Sequence, residues 1–112
     1  MIHYSKDHEW LKIDGTTATV GITQYAAEQL GDLVFVELPK LGKKVKAMDA
    51  IVVVESVKAA SDVYAPIDGE ITKINHELEA SPQLINESPM DKGWIFQCTI
   101  SSTESLSLHK RF

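Results

Sequence analysis

The 112-residue chain has one cysteine, Cys98, so no disulfide can form within it. Disulfide-stapled secreted folds are excluded, and a single thiol suits a reducing compartment. Cys98 sits in the strand-like run Trp94-Ile95-Phe96-Gln97-Cys98-Thr99-Ile100, where a buried, inert thiol is expected. There is no apolar run long enough to cross a membrane. The start, Met1-Ile2-His3-Tyr4-Ser5-Lys6-Asp7, lacks both an apolar signal core and an Arg-rich amphipathic leader. A cytoplasmic protein is therefore expected, or a mitochondrial-matrix protein whose leader has been removed. Cations are in the minority: 11 Lys and Arg against 16 Asp and Glu give a net charge of -5. Phosphate backbones need clustered cations, so nucleic acid is excluded as a partner. A mildly acidic surface suits basic protein partners instead.

The usual catalytic constellations are also missing. The four histidines, His3, His8, His76 and His109, make no metal-ligand spacing with one another or with Cys98. No Gly-rich phosphate loop is present. Ser56 lies in Glu55-Ser56-Val57-Lys58, which is not a nucleophile elbow. Carboxylates are scattered, and nothing selects a pair for acid-base work. A non-catalytic protein without a metal is expected.

What the chain does have is short strands between turn signals. Trp10 to Ile13 and Thr17 to Ile22 flank Asp14-Gly15, a favoured hairpin pair. Thr23 can cap a short helix over Gln24 to Leu30, with Gly31 placed to end it. Further strands are expected over Leu33 to Leu38, Ala50 to Glu55, Asp62 to Tyr64, Glu70 to Ile74 with clean alternation, and Trp94 to Ile100. Leu41 to Lys46 reads as a turn and an exposed edge, where lysines discourage edge pairing. One helical turn is expected around Pro82 to Ile85, and a short helix from Ser102. The length fits one domain, residues 1–112. The class is mainly β: a flattened barrel or β-sandwich with short peripheral helices.

One segment stands out. Two strand-like runs flank Ser56 to Ser61, which puts Lys58 at or near a hairpin tip. Its neighbours Val57, Ala59 and Ala60 are small or apolar, so one long cationic side chain stands clear. With an ordinary pKa of about 10.4, roughly one lysine in 2,500 is neutral at pH 7, too few for unaided nucleophilic chemistry. No burial or adjacent cation is apparent that would lower it. A tip presents the amine to another enzyme, and acylation removes its charge. Lys58 is better placed as a substrate of modification than as a catalyst.

Glu55-Ser56-Val57-Lys58-Ala59 resembles the lipoylation motif of the glycine cleavage system H protein family. So do Ser61-Asp62-Val63-Tyr64-Ala65-Pro66-Ile67-Asp68-Gly69-Glu70, His8-Glu9-Trp10, Val20-Gly21-Ile22-Thr23, Gly31-Asp32-Leu33-Val34-Phe35-Val36-Glu37-Leu38-Pro39, and Leu84-Ile85-Asn86-Glu87-Ser88-Pro89 with Gly93-Trp94. These matches are colinear from about residue 3 to residue 100. The resemblance implies a hammerhead, lipoyl-domain-like barrel and a lipoyl carrier, with lipoate in amide linkage to Lys58. It implies as partners a pyridoxal-phosphate glycine decarboxylase (P protein), a tetrahydrofolate-dependent aminomethyltransferase (T protein), a flavin-dependent dihydrolipoyl dehydrogenase (L protein), and a lipoyl ligase or lipoyl transferase. The carrier would shuttle an aminomethyl group from the first to the second, then electrons to the third. A monomer is expected. The arm would fold back into a cleft on the carrier, with Glu9 as counter-charge to the cargo amine. The motif residues Glu55, Ser56, Val57, Ala59 and Asp62 would help the loading and reading enzymes to recognise the tip.

Two departures are visible. Met90-Asp91-Lys92 precedes Gly93-Trp94, where the family often has an aromatic followed by Gly or acidic residues. The family usually continues with a longer acidic helix beyond the position of Phe112, so surfaces formed by that helix are not carried over. Biotin is disfavoured because Lys58 lies between Val57 and Ala59, not between methionines. A lipoyl domain of a 2-oxoacid dehydrogenase is disfavoured by Val57 in place of an acidic residue. A lipoyl donor for other enzymes and an unmodified interaction domain are the remaining alternatives.

Overall fold

The computed structural model describes residues 2–5, 7–100 and 108–109. The elements in chain order are β1 (Ile2–Ser5), β2 (Glu9–Asp14), β3 (Thr17–Ile22), α1 (Gln24–Leu30), β4 (Leu33–Glu37), β5 (Lys44–Val45), β6 (Ala50–Ser56), β7 (Ala60–Tyr64), β8 (Gly69–Ile74), α2 (Glu77–Ala80), α3 (Leu84–Glu87), β9 (Phe96–Ile100) and β10 (Leu108–His109). All strand pairs are antiparallel. They make two sheets, one ordered β10-β1-β2-β3-β9-β8-β5 and the other β4-β6-β7. The sheets do not close on each other, so the sandwich form of the expected mainly-β architecture is the one observed.

The core forms where the two sheets face one another. Leu11, Val20, Ile71, Phe96 and Cys98 come from the large sheet, and Val36, Val52, Val54 and Val63 from the small one. All are buried, as alternation on a sheet with one wet face requires. Leu78 of α2 and Ile85 of α3 join the same cluster. Cys98 is fully buried there, and desolvation pushes its thiol pKa up to about 11.

Local chemistry accounts for the element ends. The Ala26 N–H donates to Thr23 Oγ1 at 3.1 Å, which caps α1. Gly31 ends it, donating its N–H to Ala27 O at 3.1 Å. The β2–β3 turn is one residue later than the expected Asp14-Gly15: Asp14 pairs with Thr17, and Gly15 takes the first central position at φ +63°. Trp10 packs over Gly21, where a β-carbon would lie 2.7 Å from the indole ring. The indole Nε1–H donates to Pro89 O at 2.8 Å, anchoring the loop before Gly93.

Other expectations need correction. β1 was not foreseen; it is held by register with β2, Ile2 opposite Lys12. The alternation of β8 is broken by a register shift between Ile71 and Lys73, which leaves Thr72 and Lys73 both exposed. Residues 75–92 hold two helical turns, α2 and α3, where one was expected. The last long strand begins at Phe96, not Trp94. There the buried Asn75 side chain takes over, its Nδ2 donating to Lys92 O and Trp94 O at 3.0 and 2.8 Å. The helix expected from Ser102 lies outside the described residues.

Candidate functional site

The β6–β7 hairpin turns through Val57, Lys58 and Ala59. β6 is driven by its β-branched run Ile51-Val52-Val53-Val54, of which Ile51, Val52 and Val54 are buried. Ser56 closes the turn. Its N–H donates to Ala59 O at 2.7 Å, and its Oγ accepts from Lys58 N and Ala59 N at 3.3 and 3.1 Å. The hydroxyl donates in turn to Ala59 O at 3.2 Å. Ser56 is 9% exposed, and its hydroxyl is engaged within the turn.

Val57, Lys58 and Ala59 are all exposed at the tip, Val57 to 84%. Lys58 does not stand wholly clear, however. A β-carbon on Gly31 would lie 3.3 Å from its Cε and 3.8 Å from its Nζ. The lysine thus rests across the end of α1, over a residue without a side chain. Gly31 is held there by Asn86, whose Nδ2 donates to Gly31 O at 2.8 Å while its Oδ1 accepts from Leu33 N at 2.9 Å.

Between α1 and the inner face of the hairpin runs a cleft of about 350 Å³, lined by residues including Glu9, Ile22, Tyr25, Leu30, Val54 and Asp62. Ile22, Ala26, Leu30, Val54 and Val63 give it apolar walls, and three carboxylates, Asp7, Glu9 and Asp62, line it, with Asp7 and Asp62 exposed at the rim. Glu9 is 2% exposed. One of its oxygens accepts from Ser5 Oγ, and the other accepts from Tyr64 N at 3.2 Å. Burial raises its pKa above the ordinary 4.5, the Ser5 and Tyr64 hydrogen bonds oppose this, and Asp7 adds a smaller upward push. The carboxylate therefore ties β1 and β7 together as well as walling the cleft. Beside it, His8 is held at φ +64° with its ring centroid 4.8 Å from that of Tyr25.

Glu55 and Asp62, expected to help enzymes recognise the tip, are exposed on the hairpin strands, Glu55 opposite Ala60 and Asp62 opposite Val53. A larger open groove of about 610 Å³ lies away from Lys58, beside β5 and the end of β9.

Comparison with known proteins places this geometry. A family described as Glycine cleavage H-protein matches residues 2–110. The chain belongs to that family. A glycine cleavage system H protein of Bartonella quintana (strain Toulouse) is 54% identical over 105 residues, covering 94% of this chain and 86% of the relative. One from Bradyrhizobium diazoefficiens is 55% identical over 103 residues, covering 92% and 84%. The crystal structure of a glycine cleavage system H protein from Mycobacterium marinum superposes with a TM-score of 0.86 at 38% identity, covering 90% of this chain and 84% of that one.

The site also holds residues that sequence reasoning passed over. From sequence Gly31 is a helix terminator within a family-like stretch, Asn86 falls in another such stretch, and Ser5 carries no assignment; none is linked to the site. Gly31 meets Lys58 and Asn86 meets Leu33 through long-range contacts that no local pattern announces, while Ser5 meets Glu9 only four residues on, across the turn from β1 to β2.

Proposed function

We propose that this member of the H-protein family is a non-catalytic carrier that holds lipoate in amide linkage on Lys58. The observation that carries the reading is the exposed Lys58 on a turn knotted by Ser56, beside an acid-rimmed apolar cleft. The residues fit the group: an aliphatic arm needs an apolar bed, and Ile22, Leu30 and Val54 supply one. When bound there, lipoate would supply a disulfide capable of reductive group uptake and of thiol-disulfide exchange.

This chain's own residues do the rest. Ser56 sets the turn, so Lys58 is presented in one place. Gly31 leaves room for the root of the arm. Glu9, Asp7 and Asp62 make the cleft attractive to a cationic amine, and such a cation favours the ionised form of Glu9. The cleft beside α1 would shelter an arm laid in it, and its cargo, from water. Glu55, Val57, Ala59 and Asp62 are the accessible parts of the recognition motif. The partners are a glycine decarboxylase, an aminomethyltransferase, a dihydrolipoyl dehydrogenase and a lipoyl ligase or transferase, met in the cytoplasm by a one-domain monomer.

Reconstitution tests the reading. The lipoylated protein, mixed with those enzymes and carboxyl-labelled glycine, is expected to support release of labelled carbon dioxide, and Lys58→Arg to abolish it. Lipoyl transfer from this protein to other apoenzymes, without any glycine-dependent turnover, would identify a lipoyl donor and refute the cleavage carrier.

A further inference from the structure

The carrier hairpin has two faces; the inner one walls the cleft, and of the outer-face residues named below only Asp62 reaches the cleft rim. The outer face is built by register. Phe35 lies opposite Glu55, and Glu55 opposite Ala60; in the next row Glu37 lies opposite Val53, and Val53 opposite Asp62. These six residues alternate apolar and acidic in both directions, so no two carboxylates are direct cross-strand neighbours. Phe35 is 48% exposed, and the three carboxylates are exposed. None of the six carries a positive charge.

Phe35 points outward because of a bulge. Strict alternation from the buried Leu33 would turn Phe35 inward and Val36 outward. The register shift between Leu33 and Phe35 reverses this: Val36 is buried, and Val34 and Phe35 are both exposed, Val34 to 55%. Two large apolar side chains are thereby turned to water beside the strand that leads to Lys58. Surface apolar clusters rimmed by charge mark contact sites.

From this face we infer a docking surface for the enzyme that acylates Lys58, a partner whose complementary surface is apolar at its centre and rimmed by Lys or Arg. The inference rests on Lys58 being the acylated residue. An enzyme that reads a finished arm can meet it at the arm's far end. The acylating enzyme has only the bare lysine to reach for, so it must cover the hairpin itself. Docking on the outer face leaves the cleft open to receive the arm afterwards. The reaction balances: Lys58 Nζ loses a proton, attacks the carbonyl carbon of an acyl adenylate, and forms the amide bond. The C–O bond to the phosphate breaks, and adenylate leaves with the electron pair.

The test uses the whole protein, a lipoyl ligase, lipoate and ATP, with the acylated fraction read by intact mass. Phe35→Ser and Glu37→Lys are each expected to lower kcat/KM for acylation by about tenfold, mainly through KM, as loss of an interfacial anchor does. Asp14→Lys, on the β2–β3 hairpin, is expected to leave it unchanged. A small amine-reactive ester should label Lys58 equally in all four proteins, showing that the tip is intact. Wild-type rates in both outer-face variants would overturn the inference while leaving Lys58 as the lipoyl site. Failure of the wild type to be acylated at Lys58 would overturn both. If Phe35→Ser instead converts a dimer to a monomer with acylation unaffected, the face joins two copies and the inference is wrong.

Discussion

Replacing Gly31 by alanine probes how firmly the seat beneath Lys58 is held. Gly31 has φ +84° and ψ -165°, a region that essentially only glycine occupies. If alanine keeps that conformation, the strain is about 1–3 kcal/mol. The alternative is for the backbone to relax. Relaxation pulls Gly31 away from Ala27 O and from Asn86 Nδ2, breaking bonds of 3.1 and 2.8 Å. Two lost hydrogen bonds at about 0.5–1.5 kcal/mol each come to the same total. The new methyl would also stand 3.3 Å from Lys58 Cε, but that atom belongs to a flexible, exposed side chain and can yield cheaply. Stability should therefore fall by about 1–3 kcal/mol by either route, a midpoint shift on the order of 1 M in urea for a small domain. Equilibrium urea unfolding measures it. The same substitution made in a Lys58→Ala background should cost as much, with a coupling below about 0.5 kcal/mol. A cost below about 0.5 kcal/mol would show that the seat is not locked. A cost that disappears without Lys58 would show that crowding, not backbone conformation, was its source.

Two further outcomes follow from buried groups. Glu9 has a raised native pKa, chiefly through desolvation, so the folded protein retains a proton that the unfolded chain releases near 4.5. Its contribution to stability is full below that value and is lost as pH rises through the native pKa. Glu9→Gln can donate to Ser5 Oγ and still accept from Tyr64 N, so it should flatten this part of the pH-stability curve and exceed the wild type above it; an unchanged curve would contradict the assignment. Cys98, with its thiol pushed up to about 11 inside the core, should resist iodoacetamide in mildly alkaline buffer until urea unfolds the protein. Rapid stoichiometric labelling of the folded protein would refute that burial.

Much of the site was legible because its signals are local. The β-branched run before Ser56 and the strand through Val63 bracket a turn, so Lys58 falls at a tip by chain direction alone. Thr23 and Gly31 delimit α1 by cap chemistry in the same way. What escaped depends on partners far along the chain. The motif beside Trp10 marks Glu9, but its burial does not show until the Tyr64 amide, 55 residues on, closes over it. Asn75 sits in a polar stretch, and only folding brings Lys92 and Trp94 to its side chain. The bulge at Thr72 breaks a run whose alternation looks regular, and Leu33 to Val36 is apolar throughout with a bulge at Val34, so the outward face of Phe35 could not be read from pattern.

The central claim is that Lys58 is the attachment point for lipoate. Peptide mapping after incubation with lipoate, ATP and a lipoyl ligase measures it directly. One lipoyl increment is expected, confined to the peptide that holds Glu55-Ser56-Val57-Lys58-Ala59 and absent from Lys58→Ala. A lipoyl group on any other lysine, or biotin at Lys58 after incubation with biotin and a biotin ligase, would contradict it.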